Sequence, residues 1–425
     1  MDHNPSTSDS RLDLSQWRNV PVILLIVGGL LSLIGAAFFT RQFAYAWLLA
    51  FMFFLSLCLG SLFLILAHHL FDAGWSVAIR RFCEHIASLL FPWMALLFLP
   101  IAFLAKSIYP WMTEKNPQLD HALAAKQPLF SMPMFYVTAA VCFLAWWLLS
   151  NRLRYWSLEQ DKTGEAKPTY RMRFYSGFGI FVYALTLTLG AIMWMKGLQH
   201  QWFSTMYGVY YFAGSVWMTL ATAYVITMVL DRLGVLTEVL HEHQYYFLGS
   251  LLFAFTVFYA YVHFAQYFII WNGNMPEETF WYVVREKGTW WWIGLIIIFG
   301  HFFIPFLGLL RIDVKHVFSY MVPLCVWAWL MHWIDLSFNI MPVPYPNGFP
   351  LQWVWLHLGC WAFMAGLLSM LFLREYRKYP AYPIKDPRLI EAMGLFHPVP
   401  TQISGGELGE ADELRDAPPQ FGGPR

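Results

Sequence analysis

Apolar residues run along this chain in long blocks separated by short polar stretches. Ten blocks approach the roughly 20 consecutive apolar residues that carry a helix across a hydrocarbon core. They cover residues 21–39, 47–70, 86–105, 134–151, 174–194, 206–230, 247–271, 290–310, 316–338 and 353–373. In hydrocarbon every backbone N–H and C=O must be satisfied internally, which an α-helix does within one segment. The pattern therefore predicts an all-α integral membrane protein of about ten transmembrane helices. The first 20 residues are polar. The apolar run behind them is longer than a signal-peptide core and lacks a small-x-small cleavage site, so the first helix is expected to stay.

A faint repeat organises the spans. Gly60-Ser61-Leu62-Phe63 in span 2 resembles Gly214-Ser215-Val216-Trp217 in span 6. Glu84-His85 opens span 3 as Glu242-His243 precedes span 7. This predicts two four-helix bundles, spans 2–5 (repeat one, about 47–194) and spans 6–9 (repeat two, about 206–338), with spans 1 and 10 peripheral. The halves lie four spans apart and share one orientation, which counts against the inverted repeats of many secondary transporters. The division predicted is a cytoplasmic segment 1–20, a membrane domain 21–374 and a cytoplasmic tail 375–425. The tail beyond Pro400, rich in Gly, Pro and acidic residues, is expected to be disordered unless a partner holds it.

Composition reinforces the membrane reading. The chain is 58% hydrophobic, 19% aromatic and 12% charged, against about 25% charged in a soluble domain. The net charge is +1 and no basic run occurs, so nucleic-acid binding is not expected. With the N-terminus placed inside, 20 of the 27 Lys and Arg residues fall on the inner side and seven on the outer. Cytoplasmic loops carry the positive excess, so both termini are expected in the cytoplasm. Two outer segments, 106–133 and 339–352, are rich in Pro and aromatic residues and read either as stiff connectors or as a docking face. The five cysteines are scattered, with no CxxC or metal-ligand spacing, and read as small apolar core residues.

Ionisable groups within a membrane are costly, so each is a functional candidate. They form two sets. The inner set is His68, His69 and Asp72 at the end of span 2, Glu84 and His85 at the start of span 3, and Asp231 and Glu242 around spans 6 and 7. Asp72 lies four residues after His68, which on a helix shares its face. The outer set is His332 and Asp335 in span 9, one turn apart, with His263 in span 7; His301 lies near the middle of span 8. Histidine takes and gives protons near neutral pH, and a neighbouring carboxylate can orient it. These two sets read as half-paths for protons, or, more plainly, as interhelical hydrogen bonds that stabilise the bundle. No span carries two well-spaced histidines, so a stacked pair of b-type haems is not supported. No metal site is expected. A quinone pocket needs only an apolar cleft with a few polar groups and cannot be placed from sequence.

The stretch Ile304-Pro305-Phe306-Leu307-Gly308-Leu309-Leu310-Arg311 with Lys315 resembles the NrfD-like family of membrane anchors, to which the anchor of polysulfide reductase belongs. His332-Trp333-Ile334-Asp335 followed by Asn339-Ile340-Met341-Pro342 resembles ActF, a membrane component of bacterial alternative complex III. The resemblance spans the ten helices and omits the polar tail. It implies a non-catalytic subunit, in the bacterial inner membrane, of a complex that oxidises menaquinol or ubiquinol and passes electrons to a periplasmic c-type cytochrome or copper protein, or to a terminal oxidase. It implies no redox cofactor on this chain, with haem c and iron–sulfur clusters in partner subunits. Those partners are a second, homologous membrane anchor, an iron–sulfur subunit and multihaem cytochromes c. It further implies a proton-transfer role. A quinol-binding anchor, an independent transporter and a purely structural anchor are the alternatives.

Overall fold

The computed structural model describes residues 17–114, 120–237 and 239–393. Ten long apolar helices are present among them: α1 (Val20–Phe38), α2 (Thr40–Leu70), α3 (Gly74–Phe103), α4 (Met132–Thr163), α5 (Lys167–Trp194), α6 (Tyr207–Arg232), α7 (His243–Gly273), α8 (Thr289–Leu309), α9 (Phe318–Ile340) and α10 (Leu351–Tyr376). Each is long and apolar enough to cross a membrane, and the chain is a multi-pass membrane protein. The perimeter agrees: Phe178, Phe181, Leu185 and Phe264 are among many large apolar side chains left exposed, as lipid requires and water forbids. All ten predicted spans are found. Several are longer than their apolar blocks, because a helix continues wherever its backbone bonds do. α3 starts at Gly74 rather than 86, and α4 runs on to Thr163.

Contacts fall into two groups of four. α2, α3, α4 and α5 pack together, and so do α6, α7, α8 and α9. α1 lies along α10, and α10 packs on α2 and α3. The α1–α10 seam is close because it is built on glycine: a Cβ on Gly28 would lie 2.2 Å from the Phe363 amide nitrogen, and one on Gly366 2.5 Å from the Pro21 carbonyl oxygen. Without a hydrophobic force between helices in lipid, such small-residue contacts let backbones approach and gain dispersion.

The two groups join through α2 and α6, whose residues are the most enclosed of the ten. The repeated Gly-Ser pair sits at this junction. A Cβ on Gly60 would lie 2.2 Å from the Thr219 Oγ1 and 2.4 Å from the Ser215 carbonyl oxygen. The Thr219 hydroxyl donates across the seam to the Leu57 carbonyl at 3.1 Å, and the Tyr211 hydroxyl to the Met52 carbonyl at 2.8 Å. Gly60→Val is therefore expected to force α2 and α6 apart, at about 1–3 kcal/mol for overpacking. Thermal unfolding in detergent checks this, and an unchanged midpoint would show that the seam is not a close one.

Two helices depart locally from α geometry. α3 breaks at Phe91, whose φ of −142° and ψ of 134° are extended. Pro92 follows, and a residue before proline is driven out of the α region. α8 contains a widened π-type turn over Ile297–Phe303, with His301 inside it. Such turns displace one residue from the regular helical face.

The tail is partly built. Beyond α10, residues 377–393 fold back over the terminal face, the face of the bundle where α1 starts and α10 ends. Lys385 donates to the Lys162 carbonyl at 2.7 Å, and Gln244 donates to the Ala392 carbonyl at 2.7 Å. The expected disorder after Pro400 lies outside the described residues. At the far face, the Pro-rich segment 339–352 packs down on the start of α8. Trp290 donates to the Tyr345 carbonyl at 2.8 Å, and the Phe349 amide donates to Thr289 Oγ1 at 2.7 Å. All five cysteines are buried and free.

Candidate functional site

Near the far face, four helices of the second group converge on one carboxylate. α9 brings His332 and Asp335, one turn apart and 1% and 2% exposed. α6 brings Tyr210, α7 Tyr259 and α8 His301. Asp335 Oδ1 accepts from the Tyr259 hydroxyl at 2.7 Å and from the Tyr210 hydroxyl. Asn339 donates to the Tyr210 hydroxyl at 3.0 Å and to the Asp335 carbonyl at 2.9 Å. Its own Oδ1 accepts from the Tyr207 hydroxyl at 3.1 Å. The carboxylate is thus held by directed donors in a place where water does not reach it freely.

His332 is oriented through the α2–α9 contact. The Ser56 hydroxyl donates to the Phe53 carbonyl at 2.7 Å, so its oxygen is left to accept from His332 Nε2 at 2.9 Å. When the Ser56 hydroxyl is spent on Phe53, the neutral ring carries its proton on Nε2; Nδ1 is buried without a hydrogen-bond partner. Gly214 makes room for the ring, since a Cβ there would lie 3.1 Å from His332 Cε1. The His301 ring is stacked between Trp217 and Tyr259, with centroids 3.9 and 3.8 Å away. Neither of its nitrogens has a side-chain partner.

One ligand atom each of His301, His332 and Asp335 can be chosen so that all lie within 4.8 Å of one another. Two imidazoles and a carboxylate could ligate a divalent cation such as zinc. They can also share a proton, and charge separates the two cases. With neutral histidines the cluster carries one negative charge. One proton cancels it, whereas a divalent ion leaves a net positive charge buried in low dielectric, which is costly.

His263 stands beside this cluster rather than in it. Its ring centroid is 5.6 Å from that of Tyr210 and 5.9 Å from that of Tyr259. Farther out, Ser204 donates to Gln266 at 2.8 Å and Gln266 to the Tyr282 hydroxyl at 3.2 Å. Arg285 lies buried under the far-face end of α9. It donates to the carbonyls of Phe338 at 2.8 Å, Asn339 at 2.9 Å and Trp281 at 2.9 Å, and to Gln199 at 3.2 Å. Its guanidinium also covers the Trp281 ring at 3.4 Å, a cation–π contact.

The second cluster lies at the terminal face and is ionic. Arg80 and Arg81 on α3 are 1% and 0% exposed. Arg80 pairs with Glu84 at 3.1 Å and with Asp386 of the folded-back tail; Arg81 pairs with Glu84 at 3.0 Å and with Asp161. Arg80 also donates to Ser157 at 3.2 Å and Gln160 at 3.3 Å. Arg388 clamps Asp386 at 2.9 Å and reaches Asp72 at 2.9 Å. His68 joins through Ser76 at 2.6 Å and Arg80 at 3.2 Å. A cavity of about 360 Å³ extends from His68, Ser76 and Arg80 towards Phe63 and Leu220 in the interior.

Several sequence expectations change here. The helical pairing of His68 with Asp72 does not form. α2 ends at Leu70 and Asp72 takes a positive φ of 53°, so it leaves the helix and turns to Arg173 and Arg388. Glu84 does not lie at a helix start near water; α3 begins ten residues earlier, and Glu84 is 2% exposed between two arginines. His69 is buried without a hydrogen-bond partner, its ring 4.8 Å from that of His68. His85 also lacks a hydrogen-bond partner and stacks on Tyr379 of the tail, with centroids 5.9 Å apart. Asp231 accepts from Tyr245 at 2.7 Å, apart from the Arg80 network. The side chain of Glu242 lies outside the described residues.

Sequence reading missed Arg80, Arg81, Asp386, Tyr210, Asn339 and Arg285 as members of these sites. For Arg80 and Arg81 a signal existed: Glu84 follows at i+4 and i+3, the spacing of helical ion pairs. For Tyr210 and Asp386 no local signal exists, because their partners are 125 and 306 residues away.

Between the clusters, Ser56 and His68 are twelve residues apart on α2, about 18 Å along the helix. The Ser61 and Thr219 hydroxyls in that interval are both spent on the Leu57 carbonyl, at 2.8 and 3.1 Å. Among the described residues, no unbroken file of side-chain hydrogen bonds joins the two clusters. Compared with models of protein families and with curated proteins, the chain matches neither.

Proposed function

We propose that this chain is the membrane subunit of a quinol-oxidising electron-transfer complex, of the kind represented by ActF in bacterial alternative complex III, and that it moves protons. In this reading it lies in the bacterial inner membrane with both termini in the cytoplasm. The terminal-face cluster is then the cytoplasmic entry and the Asp335 cluster stands towards the periplasm. Electrons pass through partner subunits bearing haem c and iron–sulfur clusters, to a periplasmic carrier or a terminal oxidase.

One observation supports the proton role most directly: the buried grouping of Asp335, His332 and His301, whose single negative charge one proton neutralises. Its tyrosine donors hold the carboxylate in place, and His332 Nδ1 is left without a hydrogen-bond partner beside it. His68, with its cavity, supplies a titratable group at the opposite end. Water has to carry the proton across the interval of about 18 Å between them.

Purification through a tag on this chain from native membranes, in mild detergent, tests the assignment. Multihaem cytochromes, a large iron–sulfur protein and a second membrane subunit are expected to accompany it, with no stoichiometric transition metal in the chain itself. A chain that purifies alone overturns the complex assignment and makes a transporter the leading reading. One tightly held zinc per chain would replace the proton relay by a metal site.

A further inference from the structure

At the far face of the first helix group, the connections before α4 and after α5 bring two lysines together. Lys126 ends the short helix His121–Ala125, and Lys196 opens a tight turn, Lys196–Gln199, just past the end of α5. Both ammonium groups stand against the same two rings. The Lys126 Nζ is 5.7 Å from the Phe130 centroid and 3.9 Å from that of Phe203; the Lys196 Nζ is 5.5 and 6.0 Å from them. Lys196 is 7% exposed. Burial strips it of water and Lys126 repels it, and together they push the Lys196 amine down to about 7. Among the described residues no carboxylate forms an ion pair with either lysine. Asp120, which caps the helix before Lys126, is committed to His200 at 2.7 Å and to the Leu123 amide at 3.1 Å.

Donors remain unused here. Lys126 spends two of its three N–H groups on the carbonyls of His200 and Trp202, the latter at 3.2 Å. Lys196 donates to no carbonyl or carboxylate among the described residues. The Trp111 indole N–H is buried without a partner. Its ring lies 5.4 Å from that of Phe130, and a Cβ on Gly197 would come 3.8 Å from its Nε1. The two ammonium groups and the indole N–H thus stand around Phe130, and glycine leaves room beside the nitrogen.

Charge decides what such a place takes. A cation is repelled, and a neutral ligand leaves the ammonium groups uncompensated in a buried position. An oxyanion favours the protonated form of Lys196 and accepts from all three donors. Lysine binds phosphate as a point charge. Both lysines lie just beyond the apolar ends of α4 and α5, the level of lipid headgroups. Phe203 is 43% exposed, so the site borders the outer surface.

We propose that Lys126 and Lys196, with the Trp111 N–H, bind a phosphate group, carried by a lipid headgroup or present as the free ion. The site belongs to the first helix group and does not depend on the proton relay at Asp335.

Two measurements on the full chain test this. Native mass spectrometry from nanodiscs of mixed phosphatidylcholine and phosphatidylglycerol reads which lipid is retained. Thermal unfolding in neutral detergent compares inorganic phosphate with chloride at equal ionic strength. Preferential retention of phosphatidylglycerol, weakened roughly tenfold in Lys196→Gln by loss of one charge-assisted contact, assigns the phosphate to a lipid. A midpoint raised by phosphate and not in Lys196→Gln, without lipid preference, assigns it to the free ion. If wild type prefers neither phosphatidylglycerol nor phosphate, the proposal is overturned, and this outcome needs no variant. A preference that a folded Lys196→Gln keeps in full overturns it as well.

Discussion

Asp335→Asn is expected to reduce proton flux through the reconstituted complex by about 10²-fold or more, the usual contribution of one positioned proton-transfer group. Asparagine matches aspartate in volume and keeps a carbonyl oxygen to accept from Tyr259 and Tyr210. What it loses is the charge, and with it the ability to bind and release a proton. The fold should survive, because among the described residues no ion pair holds Asp335. A pH-sensitive dye inside proteoliposomes reads the flux, and quinol turnover measured alongside reports coupling. Asp335→Glu should recover part of the flux. If Asp335→Asn leaves both flux and coupled turnover at wild-type values, the relay does not exist and the cluster is an interhelical brace.

Arg80→Ala is expected to destabilise the protein by about 3–5 kcal/mol, the cost of removing one partner from a buried ionic network. Arg80 bonds to Glu84, Asp386, His68, Ser157 and Gln160 together. Glu84 retains Arg81 and Asp386 retains Arg388, so the lower part of that range is expected. The loss should be read as a lower unfolding midpoint together with faster proteolysis at Lys385 and Arg388, which the tail contact protects. Burial pushes the Asp386 carboxyl upward, but Arg80 and Arg388 outweigh it and hold it well below the ordinary carboxylate range. A depressed folded-state value means that its contribution is present above the unfolded value of about 3.9 and is lost as pH falls. The wild-type tail should accordingly loosen in strong acid and stay docked at neutral pH. Equal proteolysis of wild type and Arg80→Ala at neutral pH would show that the tail is held by something else.

Ten helices could be placed from sequence because the signal is one-dimensional: an apolar block either spans hydrocarbon or does not. Their ends could not, since charged residues continue a helix once they find partners, as Arg80, Arg81 and Glu84 do in α3. The grouping into two sets of four was legible through the Gly-Ser repeat, and Gly60 and Gly214 both prove to lie at close helix contacts. His332 and Asp335 were legible as a pair because one turn separates them.

The rest required the packed structure. His68 and Asp72 have helical spacing yet part company, because α2 ends at Leu70 and Asp72, with a left-handed φ, turns its carboxylate to Arg173 and Arg388. Arg80 reads from sequence as one more cytoplasmic charge; its burial depends on Asp386, which arrives from 306 residues away.

The order of residues thus settles the solvent: an all-helical chain crossing lipid ten times, with few buried charges and those worth naming. Packing settles which charges meet. It drew His301, His332 and Asp335 into one cluster with two tyrosines and locked the tail onto α3. The difference is one of range. Backbone hydrogen bonding and transfer into hydrocarbon act within one segment, whereas a shared proton or a buried ion pair depends on side chains from separate helices meeting within a few ångströms.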